Sequence, residues 1–270
     1  MCGMLDTSTI QSLAAELQQA EITREQIPQF SRRFNEMTID DSYAIQRAWV
    51  NLKHDSGRET IGHKIGLTSR AMQIASQIEE PDYGALLDNM LLYDGAEIDA
   101  GDYIVPRIEA EFAFVLGAPL HGSDVTLADV MRATDYVVPA LELIDARIEQ
   151  LDRNTGAPRT VLDTIADNAA NAAIVLGTEK NKPDDVDWRW AGALLYKNNV
   201  VEESGLGAAV LDHPANGVAW LANKLAKFGE GLEAGEIVLG GSFIRPVACS
   251  SGDVIRADYG PLGLITVSFN

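Results

Sequence analysis

The sequence predicts an α+β fold, a helical start followed by one large mixed or antiparallel sheet. Three observations predict it. The opening residues carry apolar side chains at helical spacing. From Glu59 onward, short apolar runs alternate with Gly, Pro and Asp, the pattern of strands joined by turns. Those strands are too clustered for regular alternation with helices, which argues against a parallel βαβ sheet. The expected division is a helical layer over residues 1–58 and a sheet core over 59–270, together one compact unit.

In the helical start, Ile10, Leu13, Ala14, Leu17 and Ala20 share one face after a Ser/Thr-rich opening. Thr38 with Asp41 forms a capping box, in which hydroxyl and carboxylate satisfy free N–H groups at a helix start. The helix it opens should bury Ala44, Ile45, Ala48, Trp49 and Leu52, and Gly57 is its stop. Neither helix carries a chemical constellation, so both read as a covering layer or an oligomer contact. Two further helices interrupt the strands. One starts at the Thr126 and Asp129 box; the other starts at His213-Pro214, buries Val218, Leu221, Leu225 and Phe228, and ends at Gly229. Strands return over 236–239, 243–247 and 262–269.

At 270 residues and 46% hydrophobic content, the chain can bury a sizeable core. No apolar run approaches the roughly 18 residues that span a bilayer, and the opening Met1-Cys2-Gly3-Met4 shows no secretory signal. Cys2 and Cys249 are the only cysteines, which excludes a disulfide framework and a thiolate metal site and points to a reducing cytoplasm. The net charge of −19 argues against nucleic acid as a partner. It also means that an anionic substrate must find its positive charge locally, in a cation or a few placed Lys and Arg side chains.

The most informative feature is three glutamates on two apolar runs, Glu109 and Glu111 within 104–116 and Glu142 within 136–144. Strand residues two apart share a face at roughly 6.5–7 Å. Carboxylates that close among apolar neighbours must be protonated, paired or bridged by a cation. A third from a neighbouring strand completes an all-oxygen set suited to Mg²⁺ or Mn²⁺. The bland alternative is a half-exposed strand with Glu109 and Glu111 in solvent. Against it, Ala113 and Val115 share their parity, and Glu142 is the one charge between Val137 and Ile144.

Lys64 is flanked on its own face by Gly62 and Gly66, which leaves room for a ligand to approach, although most strand lysines are solvated. His63 has the opposite parity and reads as structural. Asp82 lies in a stretch that reads as a turn, where a carboxylate can also serve as a general base. Gly240-Gly241-Ser242 is either a tight turn or a set of N–H and hydroxyl donors facing an anion. The segment 163–168 either fixes a site loop or caps a chain end.

Taken together, the segments 62–69, 80–88, 106–116, 139–148, 163–171, 213–226 and 235–247 resemble the hydratase/decarboxylase family of meta-cleavage pathways, within the fumarylacetoacetase superfamily. The resemblance implies a mixed sheet rolled around a divalent-metal site, helices packed outside, and a large, decamer-like homo-oligomer. It implies Mg²⁺, with Mn²⁺ as the alternative, on Glu109, Glu111 and Glu142. Lys64 and Asp82 match positions of acid–base work, and Leu67, Thr164, Gly241 and Ser242 are expected against the substrate. One departure is Ala170, where monocarboxylate hydratases and the decarboxylases have serine; the change leans towards dicarboxylates. The implied reaction is hydration of a 2-hydroxy-2,4-dienoate with a second carboxylate, in homoprotocatechuate catabolism. The distal carboxylate would be met by Arg147, Arg153 or Arg159, with Arg147 and Arg159 taken as substrate-binding. Decarboxylation of an oxalocrotonate, pentenoate hydration, C–C hydrolysis and a non-catalytic metal- and dicarboxylate-binding role compete with this reading.

Overall fold

A computed structural model describes residues 5–76 and 78–270. Cys2, and the opening residues read for a signal, lie outside the described residues. The helices are α1 (Thr7–Thr23), α2 (Phe30–Arg33), α3 (Ile39–Asp55), α4 (Arg70–Ser76), α5 (Leu127–Ala133), α6 (Val161–Ala166) and α7 (Pro214–Ala226). The first six strands are β1 (Thr60–Gly66), β2 (Asp82–Leu87), β3 (Leu91–Tyr93), β4 (Glu97–Ile98), β5 (Arg107–Leu116) and β6 (Thr134–Ile144). They are followed by β7 (Asn171–Leu176), β8 (Gly192–Lys197), β9 (Val200–Leu206), β10 (Ile237–Leu239), β11 (Val247–Ala248), β12 (Val254–Asp258) and β13 (Leu264–Phe269).

The main sheet runs β2-β1-β10-β5-β6-β7-β3, with β11 added to β5. It is mixed: β1 pairs parallel to β10 and β3 to β7, while β5, β6 and β7 are antiparallel. β2 and β3 lie at opposite edges, yet only Asp88–Met90 separates them in sequence. A flat sheet of seven strands is about 29 Å across, and so short a connection spans about 14 Å. The sheet must therefore curl until its edges approach, and that is the roll.

Alternation of side chains gives the roll two faces. On one, Ala113, Val138, Ala140, Ile174, Ile237 and Leu239 form an apolar cluster that shares its face with Glu111. On the other, Phe112, Phe114, Leu141 and Val238 pack against α7 and against the second sheet, β4-β13-β12-β8-β9, through Trp188, Phe243 and Tyr259. The α+β expectation of a mixed roll with a helical layer holds.

The capping boxes at Thr38 and Thr126 form as expected. α3 is buried around much of its circumference: Ile45 and Trp49 pack with α1, and Tyr43 stacks on Tyr83 of β2. Leu52, expected inside, is exposed in the last turn of α3. Phe228 is also exposed, since α7 stops at Ala226. The expected strand over 243–247 shrinks to β11, because residues 243–246 bend away to line a cavity. The short elements α4, α6, β8, β9 and β12 had no separate signal. Among the described residues, no helix is long and apolar enough to cross a membrane.

Candidate metal centre

Glu109, Glu111 and Glu142 converge. β5 and β6 pair in a register that sets Glu109 directly opposite Glu142, and Glu111 follows Glu109 on the same face. One carboxylate oxygen from each lies within 4.8 Å of the others. The donors around them are sparse. Glu111 Oε2 accepts from the Gly241 N–H at 2.9 Å, and Glu142 Oε1 accepts from Asn171 Nδ2 at 2.9 Å beside Lys64 Nζ at 3.0 Å. Glu111 Oε1 and Glu142 Oε2 are buried with no hydrogen-bond partner among the described residues. Burial, then the charge of Glu142, raises Glu109 to about 8, and the same causes raise Glu111 well above the usual range. A hard dication would satisfy both orphaned oxygens and remove the repulsion. The residues present fit one.

Lys64 stands in the same cluster, 3% exposed. Burial opposes its charge, but Glu142, Asp82, Glu109 and Glu111 outweigh that, and its pKa is raised. Lys64 therefore stays an ammonium. Asp82 opens β2 opposite Gly66 and does not sit in a turn. It is 1% exposed, and neither of its carboxylate oxygens has a hydrogen-bond partner among the described residues. Burial raises its pKa, and Lys64 offsets only part of the effect. Gly66 is required here: a Cβ on it would lie 2.3 Å from Asp82 Oδ1 and 3.4 Å from Lys64 Nζ.

Glu109, Glu111, Lys64 and Asp82 line a cavity of about 1000 Å³, and Glu142 is buried against Lys64. Leu67, Thr164, Ser242 and Arg159 line it too. Gly241 does face an anion, but that anion is the Glu111 carboxylate. A buried terminal nitrogen of Arg159 is ion-paired with Asp167 Oδ2 at 3.7 Å and has no hydrogen-bond partner among the described residues.

Arg147, expected at the substrate, does not line the cavity. Its guanidinium is ion-paired with Asp167, donates to the carbonyls of Asp167 and Asn171, and stacks over Trp49. Its donors are spent on structure. Arg153 pairs with Glu149 at the surface. Asp163 receives hydrogen bonds from Ser31 and Thr160, tying α6 to α2.

Comparison with known proteins decides the family. A 2-oxo-hept-4-ene-1,7-dioate hydratase of Escherichia coli is 58% identical over 266 residues, 98% of this chain and 100% of that protein. A 4-oxalocrotonate decarboxylase of Pseudomonas putida is 37% identical, covering 98% of each. The chain belongs to the hydratase/decarboxylase family. No family model matches it. Among solved structures, 4-oxalocrotonate decarboxylase from Pseudomonas putida G7, complexed with magnesium and adipate, superposes with a TM-score of 0.93 at 36% identity, over 98% of this chain and 99% of that one. A fumarylpyruvate hydrolase from Pseudomonas aeruginosa, at 15% identity and a TM-score of 0.59 over 77% of this chain and 88% of that one, shares the fold.

Within this family member, two residues of the site escaped the sequence reading. Arg107 shares the parity of Glu109 and Glu111, donates to Gln150 Oε1 at 3.1 Å and lines the cavity. Its two-residue step from Glu109 was the available signal. Asn171, which holds Glu142, had none, because its partner lies on another strand.

Proposed function

We propose that the chain is a divalent-metal-dependent hydro-lyase acting on 2-hydroxyhepta-2,4-diene-1,7-dioate, or its 2-oxo tautomer, to give 4-hydroxy-2-oxoheptane-1,7-dioate in homoprotocatechuate catabolism. The observation that carries this reading is the convergence of Glu109, Glu111 and Glu142 beside Lys64, at a cavity that Glu109, Glu111, Lys64 and Asp82 line. Glu109, Glu111 and Glu142 would hold Mg²⁺, or Mn²⁺. When bound, the ion supplies Lewis acidity at the 2-oxo acid end of the substrate.

The residues of the chain supply the rest. Lys64, fixed by Glu142, offers its remaining N–H donors to the substrate's carboxylate or C2 oxygen. Asp82, whose burial raises its pKa, is placed to take a proton from C3 and deliver it to C5. The name of the Escherichia coli relative puts the double bond at C4–C5. Moving a proton from C3 to C5 brings that bond to C3–C4, into conjugation with the C2 oxo group. Water can then add its hydroxyl at C4 while the Asp82 carboxylate takes its proton and passes it on to C3. Leu67, Thr164, Gly241 and Ser242 shape the site around the substrate. Arg159, which lines the cavity and is ion-paired with Asp167 at 3.7 Å, is the residue we assign to the distal carboxylate.

The helical layer (1–58) and the roll (59–270) act as one unit in this reading, in the cytoplasm. A homo-oligomer, decamer-like by family resemblance, is supported by the exposed apolar residues Trp190, Leu194, Leu206 and Leu264 around the second sheet, and light scattering tests it. The decisive assay is incubation with Mg²⁺ and the dienedioate, with the product identified by mass. A product one water heavier supports hydration; loss of carbon dioxide would assign decarboxylation; no turnover of any dienoate would leave a binding module.

A further inference from the structure

β2 is an edge strand of the roll, closed on its open side by side chains. β1 occupies one side; on the other, the peptide groups of Tyr83 and Ala85 have no strand partner among the described residues. Buried peptide groups require partners. Two buried side-chain amides take the place of a strand. Gln46 of α3 donates from Nε2 to Tyr83 O at 2.8 Å and to Ile165 O at 3.1 Å. Asn168 accepts from the Ala85 N–H through Oδ1 at 2.8 Å and donates from Nδ2 to Ala85 O at 2.9 Å.

Asn168 holds this place on a strained backbone. Asn168, Ala169 and Ala170 have φ of 52°, 51° and 58°, consecutive side-chain-bearing residues in the left-handed region, all buried. Such a run persists only where its surroundings over-determine it. Gly84 lets the segment come against β2, since a Cβ there would lie 2.4 Å from Asn168 O. Asp145 donates its N–H to Ala170 O at 2.8 Å. The next residue, Asn171, donates to the metal-ligand candidate Glu142, and Ala169 and Ala170 line the cavity. One short segment thus touches both β2, which carries Asp82, and the carboxylate cluster.

We propose that Asn168 and Gln46 are positioning residues, whose amides stitch the open edge of β2 to residues 165–171 and so set where the Asp82 carboxylate stands relative to the three glutamates. The inference rests on the reading of Asp82 as the proton-transfer group. A closing error of about 1 Å at such a group costs on the order of 100-fold in rate.

The test is a mutant cycle on the Mg²⁺-loaded enzyme with the dienedioate: Asn168→Gly and Gln46→Met, each alone and combined with Asp82→Asn. Glycine accepts the left-handed φ, so Asn168→Gly removes the stitch and keeps the backbone path. The expected result is a loss in kcat of about 10- to 100-fold, little change in KM, and an intact Mg²⁺-induced rise in Tm. In the Asp82→Asn background the same substitution should cost nothing further, because the group it positions has lost its function. Gln46→Met should repeat the pattern and carries the test if Asn168→Gly does not fold. Equal fold-losses in both backgrounds, parental kcat in the folded single variants, loss of the Mg²⁺ response, or failure of both variants to fold would overturn the proposal. Parental turnover by Asp82→Asn alone would instead overturn the reading of Asp82.

Discussion

Removing the cation should make the protein's stability fall as pH rises. Burial and mutual repulsion hold Glu109 at about 8, against an ordinary 4.5, and raise Glu111 in the same direction. Between those values the folded, metal-free chain binds more protons than the unfolded chain. Its stability is therefore fully present below the unfolded pKa and is lost as pH climbs through 8. A shift of that size on Glu109 corresponds to roughly 5 kcal/mol, at about 1.4 kcal/mol per unit. For a chain of this size, each kcal/mol moves Tm by about 2–4 °C, so a metal-free fall on the order of 10 °C between pH 5 and 8 is expected. Mg²⁺ replaces the protons, so its stabilising effect should be small at pH 5 and grow towards pH 8. Thermal unfolding followed by circular dichroism, with chelator or with Mg²⁺, measures both. A metal-free Tm that does not fall over this range, or a Mg²⁺ effect equal at both ends, would refute the reasoning.

Three substitutions test the cavity. Asp82→Asn keeps the shape and removes the proton; kcat should fall by about 100- to 10,000-fold while the Mg²⁺-induced rise in Tm persists, as steady-state kinetics and calorimetry would show. Gly66→Ala places a methyl 2.3 Å from Asp82 Oδ1 and should displace that carboxylate, lowering kcat by at least about tenfold; parental kcat would mean that Asp82 can move freely. Arg159→Ala should raise KM for the dicarboxylate by about 10- to 100-fold, the worth of a charged hydrogen bond, and leave a monocarboxylate dienoate nearly unaffected, whereas the surface residue Arg153 should tolerate alanine. Equal KM changes on both substrates would remove Arg159 from the distal end.

Much of the site was legible because strand geometry is periodic. A step of two puts Glu109 and Glu111 on one face whatever surrounds them, and an isolated charge in an apolar strand had to find partners, as Glu142 does. The glycines beside Lys64 signalled close approach, and at Gly66 the approaching group is Asp82. What was hidden depends on contacts between distant segments. Arg147 and Arg159 lie close in sequence, and only packing decides that Asp167 and Trp49 hold the first away from the cavity while the second lines it. Asp82 read as a turn because Pro81 and Gly84 flank it, yet pairing with β1 draws it into an edge strand. The roll itself showed only when β2 and β3 proved to be opposite edges joined by three residues.

The most direct measurement is anomalous diffraction from crystals soaked in Mn²⁺ with oxalate, a mimic of the 2-oxo acid end. The account predicts a single strong peak about 2.0–2.2 Å from one oxygen each of Glu109, Glu111 and Glu142, with oxalate on its open side. A peak elsewhere, or none among these carboxylates, would contradict it.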